Sequence, residues 1–148
     1  MDSNHDADAL LAERFRSGDE RALEEIYREH SHLVYSFCRR ALDDHRAADA
    51  TQDVFLAAWR SRERFRPDLG SLAGWLMGIA RFKVVDIHRT EQRNPLAPVS
   101  AQDAERGVTE DLDLMAQRML IADALMDLPE RSREMVRLAY FDDQTHTQ

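Results

Sequence analysis

Residues 49–59 read Asp49-Ala50-Thr51-Gln52-Asp53-Val54-Phe55-Leu56-Ala57-Ala58-Trp59, and this stretch decides the fold class. Ala50, Val54, Phe55, Ala58 and Trp59 recur with the period of a helix, not the alternation of a strand. They form the inward stripe of a helix predicted from about Arg46 to Arg64. Asp49, Gln52 and Asp53 stand at i, i+3 and i+4, so their side chains share a different face. That trio has two readings. It is the acid-rich first turn that suits a helix dipole, which spacing alone favours, or it is an acidic docking face for a basic partner.

Working towards the N-terminus, Asp43-Asp44-His45 makes a polar break. Before it, Leu23, Ile26, Tyr27, His30, Val34 and Phe37 form one apolar stripe about four turns long. Gly18 ends a short first helix marked by Leu10, Leu11 and Phe15, and Asp19 can cap the helix that follows. Working towards the C-terminus, Pro67, Gly70 and Gly74 punctuate a loop from Arg66 to Gly74. A fourth helix then runs to about Arg93, with Leu72, Trp75, Leu76, Ile79, Ala80, Val84 and Ile87 as its stripe. Asn94 to Thr109 lacks periodicity, contains two prolines and a glycine, and reads as a linker. A further helix is predicted from Glu110 to Met126, with Leu112, Met115, Met119 and Ala122 on one side. Leu128-Pro129-Glu130 restarts the chain, since proline suits the first turn of a helix, and Met135, Val136, Ala139 and Tyr140 form the next stripe. The architecture expected is all-α.

Composition agrees. The chain has 148 residues with 43% hydrophobic content, enough for one or two small cores. Glycine (5) and proline (4) are too scarce for a turn-rich β fold. The single cysteine, Cys38, leaves no internal disulfide and no cysteine-based zinc cluster. There is no apolar run near the ~20 residues that span a bilayer, and the polar, acidic Met1–Asp8 stretch is unlike a signal peptide. A cytoplasmic chain without membrane insertion is expected.

Charge is segregated. Arg60 to Arg93 holds eight basic and four acidic residues, a net of +4, in a chain whose total is −8; the remainder therefore carries −12. A basic island in an acidic chain suits one anionic partner at one place and protein partners elsewhere. Arg81, Lys83 and Arg89 can face outwards from the fourth helix and contact phosphate. Phe65 and Phe82 flank the loop and could stack on unpaired bases. The same residues also suit a solvated charged face beside core aromatics, and composition alone favours that plainer account. No nucleophile–base pair, phosphate loop or metal spacing is recognisable. His30 and His32 lie two apart, face different ways on a helix, and suit structural or surface roles.

Taken in order, four segments resemble the extracytoplasmic-function (ECF) sigma factors, the promoter-reading subunits of bacterial RNA polymerase. Leu10-Leu11, Phe15, Gly18-Asp19, Ala22-Leu23 and Ile26-Tyr27 are similar to the family's opening helices. Asp49-x-x-Gln52-Asp53-Val54-Phe55-x-x-x-Trp59 is similar to its polymerase-binding helix. Phe65, Trp75-Leu76-x-x-Ile79-Ala80-Arg81 and Asp86-x-x-Arg89 are similar to its promoter-reading loop and helix. Leu128-Pro129-Glu130-Arg131 through Tyr140-Phe141 resembles the start of its C-terminal domain.

The resemblance implies a four-helix sigma domain 2 over residues 1–93, an acidic linker over 94–109, and the first helices of an incomplete sigma domain 4 over 110–148. It implies a non-enzymatic protein without cofactor or metal. Asp49, Gln52 and Asp53 would contact the coiled coil of the polymerase β′ subunit, while Trp59 would serve packing. Arg66, Ser71, Arg81, Phe82, Lys83 and Arg89 would meet promoter DNA at the −10 element, with a flipped base held in a small pocket of the 66–74 loop. Phe82 stands where the family usually has asparagine, so an amide contact there is replaced by stacking or packing. The acidic stretch from Asn94 to Asp127, net −5, resembles the connector that threads the polymerase's RNA path. An anti-sigma partner is expected. The end at Gln148, short of a recognition helix, implies no −35 reading from these residues and raises the alternative of a truncated sigma-like module that titrates polymerase or an anti-sigma factor.

Overall fold

The computed structural model describes the backbone of residues 2–92 and 101–126, and the side chains of 7–91 and 107–126. Five α-helices and one short 3-10 turn make up the described residues: α1 (Asp2–Arg16), α2 (Glu20–Ala41), α3 (Asp44–Arg60), the turn Arg62–Arg64, α4 (Leu72–Gln92) and α5 (Ala101–Met126). There is no strand among them, and the all-α expectation holds.

Local chemistry sets the corners. After α1 the chain reverses through Gly18, whose φ of +94° lies in the region only glycine enters cheaply. Gly18 N–H donates to the Phe15 carbonyl (3.1 Å) and Asp19 N–H to the Arg14 carbonyl (3.0 Å), the paired closure of a Schellman motif. Asp19 then caps α2 by accepting from Arg21 N–H. Its carboxylate also takes a 2.9 Å bond from Arg14 Nε, and that guanidinium, with the Arg21 N–H, holds the Asp19 carboxyl below its ordinary range. The break at Asp43-Asp44-His45 is likewise a start signal: Asp43 caps α3 by accepting from Arg46 N–H at 2.9 Å. Thus α3 begins at Asp44, slightly ahead of the expected Arg46, and ends at Arg60 instead of Arg64, because residues 62–64 tighten into the 3-10 turn.

The core is one continuous cluster. From α2 it takes Ala22, Ile26, Leu33, Val34, Phe37 and Cys38; from α3 it takes Ala47, Ala50, Thr51, Val54, Phe55 and Ala58. Leu76, Met77, Ala80 and Val84 of α4 complete it. Phe15 of α1 is fully buried and sits against Trp59 (5.8 Å between ring centroids) and Trp75 (6.2 Å). It therefore ties α1 to both α3 and α4. Each large side chain so buried contributes roughly 1.5–3 kcal/mol.

Two expectations shift. Tyr27, placed in the α2 stripe, is 44% exposed, with only its ring edge against Phe55. Residues expected to be linker are helical from Ala101, so α5 starts well before Glu110. It buries Leu112 and Ala116 against α4 and α2. The segment following Met126, including Leu128-Pro129-Glu130 and the Met135–Tyr140 stripe, lies outside the described residues, as does 93–100.

Candidate functional site

The first face belongs to α3. Its buried positions recur at 47, 50, 51, 54, 55 and 58, which turns Asp49, Gln52 and Asp53 to solvent together. Asp49 is 70% exposed at its side chain and has His45 Nε2 at 3.7 Å one turn earlier. The acids are not spent on the helix cap, which Asp43 supplies. Leu56 continues the same face one turn later and is 51% exposed. Sequence reasoning missed it, although its i+3 and i+4 spacing from Asp53 and Gln52 was the available signal.

Beside this face, α2 and α3 leave an apolar groove of about 720 Å³ lined by Leu23, Tyr27, Arg28, Gln52, Phe55 and Leu56 among others. A carboxylate-and-amide rim with exposed Leu and Tyr next to it is the composition of a protein-docking surface.

The second feature is the loop before α4. Ser71 caps α4, its hydroxyl accepting from Gly74 N–H at 3.0 Å and its carbonyl from Trp75 N–H. Behind that cap lies a cavity of about 390 Å³ walled by Arg64, Phe65, Arg66, Leu69, Ser71 and Trp75, with Gly70 and Gly74 opening it. Nothing lies within 4 Å of where a Cβ on Gly70 would sit. Ser71, Arg64 and Arg66 carry side-chain donors and stand among the lining of an otherwise apolar, aromatic-backed recess. This is the chemistry that holds a planar, hydrogen-bonding ring.

Of the two readings of Phe65, stacking on bases or core aromatic, the plainer one holds. Phe65 is 3% exposed and its ring lies against Trp75 at 5.3 Å, so it is cavity wall and core. Trp59, in line with its expected packing role, stacks on Phe15 and carries the Arg62 guanidinium 4.4 Å above its ring.

The α4 residues separate. Arg81, Phe82 and Lys83 are consecutive, so each points about 100° from the next. Phe82 stands outwards and is 69% exposed. Arg89, seven residues on, shares its side of the helix and is exposed. Arg81 leans towards α5 and is paired with Asp113. Lys83 leans towards α3, with its Nζ 3.4 Å from Asp53. The acidic face and the basic helix, read from sequence as independent, are thus linked by one ion pair. Among the described residues no cluster of histidine, cysteine and carboxylate could hold a metal. No described helix is long and apolar enough to cross a membrane.

An all-α fold that carries an exposed carboxylate face on α3 and a basic, aromatic-backed loop before α4 is the arrangement found in helical adaptor domains. Residues 26–94 match the sigma-70 region 2 family. The chain is 31% identical over 147 residues to the ECF RNA polymerase sigma factor SigK of Mycolicibacterium vanbaalenii, covering 95% of this chain and 74% of that protein. It is 30% identical to the SigK proteins of Mycobacterium sp. strain KMS (97% and 77% covered) and Mycobacterium tuberculosis strain H37Ra (97% and 79%). The chain belongs to the ECF sigma factor family, whose members are non-enzymatic transcription initiation factors.

Proposed function

We propose that this sigma factor docks on core RNA polymerase through Asp49, Gln52 and Asp53 and opens promoter DNA by taking one unpaired base into the Ser71 cavity. Both activities fall within residues 1–93. The observation that carries the reading is the cavity itself: an aromatic-walled recess lined also by Ser71, Arg64 and Arg66, on the loop that precedes the basic helix. Extruding a base costs a few kcal/mol. Stacking in an aromatic pocket returns ~1–3 kcal/mol per base, so capture holds a melted strand that polymerase has already strained open.

Arg66 lines the cavity, and Phe82 with Arg89 would continue the path along the outer side of α4. Arg81 and Lys83 flank that path and would hold the strand backbone. The acids of α3 would meet the β′ coiled coil. A cytoplasmic location and control by an anti-sigma protein covering these faces complete the proposal.

The test is Gly70→Phe. A Cβ there meets nothing within 4 Å, so the fold should be retained, and a ring on this lining residue is expected to obstruct the cavity. With core polymerase bound, affinity for a DNA bubble is expected to fall about tenfold, the scale of one lost stacking site, with binding to core polymerase unaltered. Equal bubble affinity in the variant would remove the cavity from the mechanism.

A further inference from the structure

Arg81 is half-exposed, but its charge is already paired within the chain. It is met by Asp113, and the carboxylate comes from α5, 32 residues further along the chain. The contact is not isolated. Leu112 and Ala116, on either side of Asp113, are 6% and 7% exposed and set α5 against α4 and α2. From 101 to 126, α5 carries six acidic residues and two basic ones. It lies as an acidic rod along the flank of the basic helix, with a carboxylate where a phosphate would be held.

We propose that α5 is an intramolecular strap that occupies the Arg81 phosphate site in the free protein and must leave for DNA to be gripped. This rests on the strand-holding role of Arg81 proposed above. Three features argue for a strap and against a permanent layer of the core. First, the anchorage is lighter than that of α3: among the described residues α5 buries two side chains, Leu112 and Ala116, against six on α3, while Val108, Met115, Met119 and Leu120 pack on the core only partly buried. Second, the outer side of α5 keeps Leu114 and Ile121 exposed at 48% and 57%. The helix therefore has apolar surface on both sides and can exchange one apolar partner for another, which lowers the cost of leaving. Third, the ion pair is half-exposed, with side-chain exposures of 43% and 38%; such pairs are worth little individually and open readily.

Lys83 is held in the same manner by Asp53. Two of the cations proposed to hold the strand thus sit on the chain's own carboxylates. One of those carboxylates belongs to the polymerase-facing trio, so docking would draw Asp53 away and release Lys83. The free protein is then a poor DNA binder for a local reason, beyond its net charge of −8.

The experiment uses the full chain and a fluorescent single-stranded oligonucleotide, read by anisotropy at low salt, for wild type, Asp113→Asn, Arg81→Ala and the double variant. Asp113→Asn is expected to bind about fivefold more tightly than wild type, the scale of one half-exposed charge pair. Adding Arg81→Ala should abolish the gain. If Asp113→Asn gains nothing while Arg81→Ala weakens bubble binding by the core-bound protein, the strap is refuted and the strand-holding role survives. If Arg81→Ala is also silent when core-bound, both fail. Hydrogen exchange supplies a second readout that requires no substitution. Amides of α5 should exchange faster once core polymerase is added, and undiminished protection would overturn the strap.

Discussion

Phe15 is the side chain on which the cavity's geometry depends, and Phe15→Ala should show it. The ring is fully buried and wedged between Trp59 of α3 and Trp75 of α4. Trp75 in turn backs Phe65, and both wall the cavity. Truncating a buried phenylalanine costs ~3–5 kcal/mol. Here the lower end applies, about 3 kcal/mol, because α1 is peripheral and can settle inwards to close part of the void. Against a total of roughly 5–15 kcal/mol for a domain, that is a large fraction. Urea unfolding followed by fluorescence reads it directly, since the two tryptophans of the chain, Trp59 and Trp75, are the residues the ring touches. With a slope near 1.5 kcal/mol per molar, the midpoint should fall by about 2 M at unchanged slope. Phe15→Leu, which keeps most of the volume, should cost under ~1.5 kcal/mol. Bubble DNA binding by the core-bound alanine variant should weaken under conditions where it remains folded. A loss below ~1 kcal/mol, or a loss of stability with cavity function intact, would refute the wedge.

Other outcomes follow from single contacts. Asp43→Ala removes the acceptor for Arg46 N–H at the start of α3 and should lower stability by about 1 kcal/mol in thermal unfolding, as N-cap deletions do. Phe82→Ala removes an exposed ring and should cost ~1–3 kcal/mol of bubble binding if the ring stacks on a base, with urea stability nearly unchanged. Burial pushes the Cys38 thiol from 9.0 up to about 11, a Thr51 hydrogen bond opposing only weakly. The folded state therefore favours the protonated thiol, and stability should decline as pH rises from about 9 towards 11. Thiol-reagent labelling of Cys38 at pH 8 should be slow and should track unfolding; rapid labelling of folded protein would contradict the burial.

Much of this was legible in sequence for physical reasons. Helix period, Gly18, Asp19 and the cap residues act locally, so they fix the end of α1 and both ends of α2 to α4 to within a few residues; the polar start of α1 at Asp2, ahead of the short helix expected, had no apolar period to mark it. The exposure of Asp49, Gln52 and Asp53 followed because the helix period assigns them the face opposite Ala50 and Val54. What the sequence hid was relational. The partner of Phe65, which composition favoured as a core aromatic, is a ring ten residues away. The exposure of Tyr27 depends on how far α3 stands from α2. The early start of α5 is a tertiary effect: a segment with weak periodicity is held as helix where its continuation packs on α4. The pairing of Arg81 with Asp113 joins residues on separate helices, which no local pattern encodes. For the same reason charge segregation suggested two independent faces where the fold gives two faces joined through Asp53 and Lys83.

The charge-reversal pair Asp49→Arg with Asp53→Arg addresses the docking claim on which the rest stands. Both side chains are exposed and neither caps a helix, so the variant should fold, with circular dichroism and urea midpoint close to wild type. Its affinity for purified core polymerase, measured by biolayer interferometry, should fall at least about tenfold, or ~1.4 kcal/mol. A folded double variant that binds core polymerase as tightly as wild type would contradict the account.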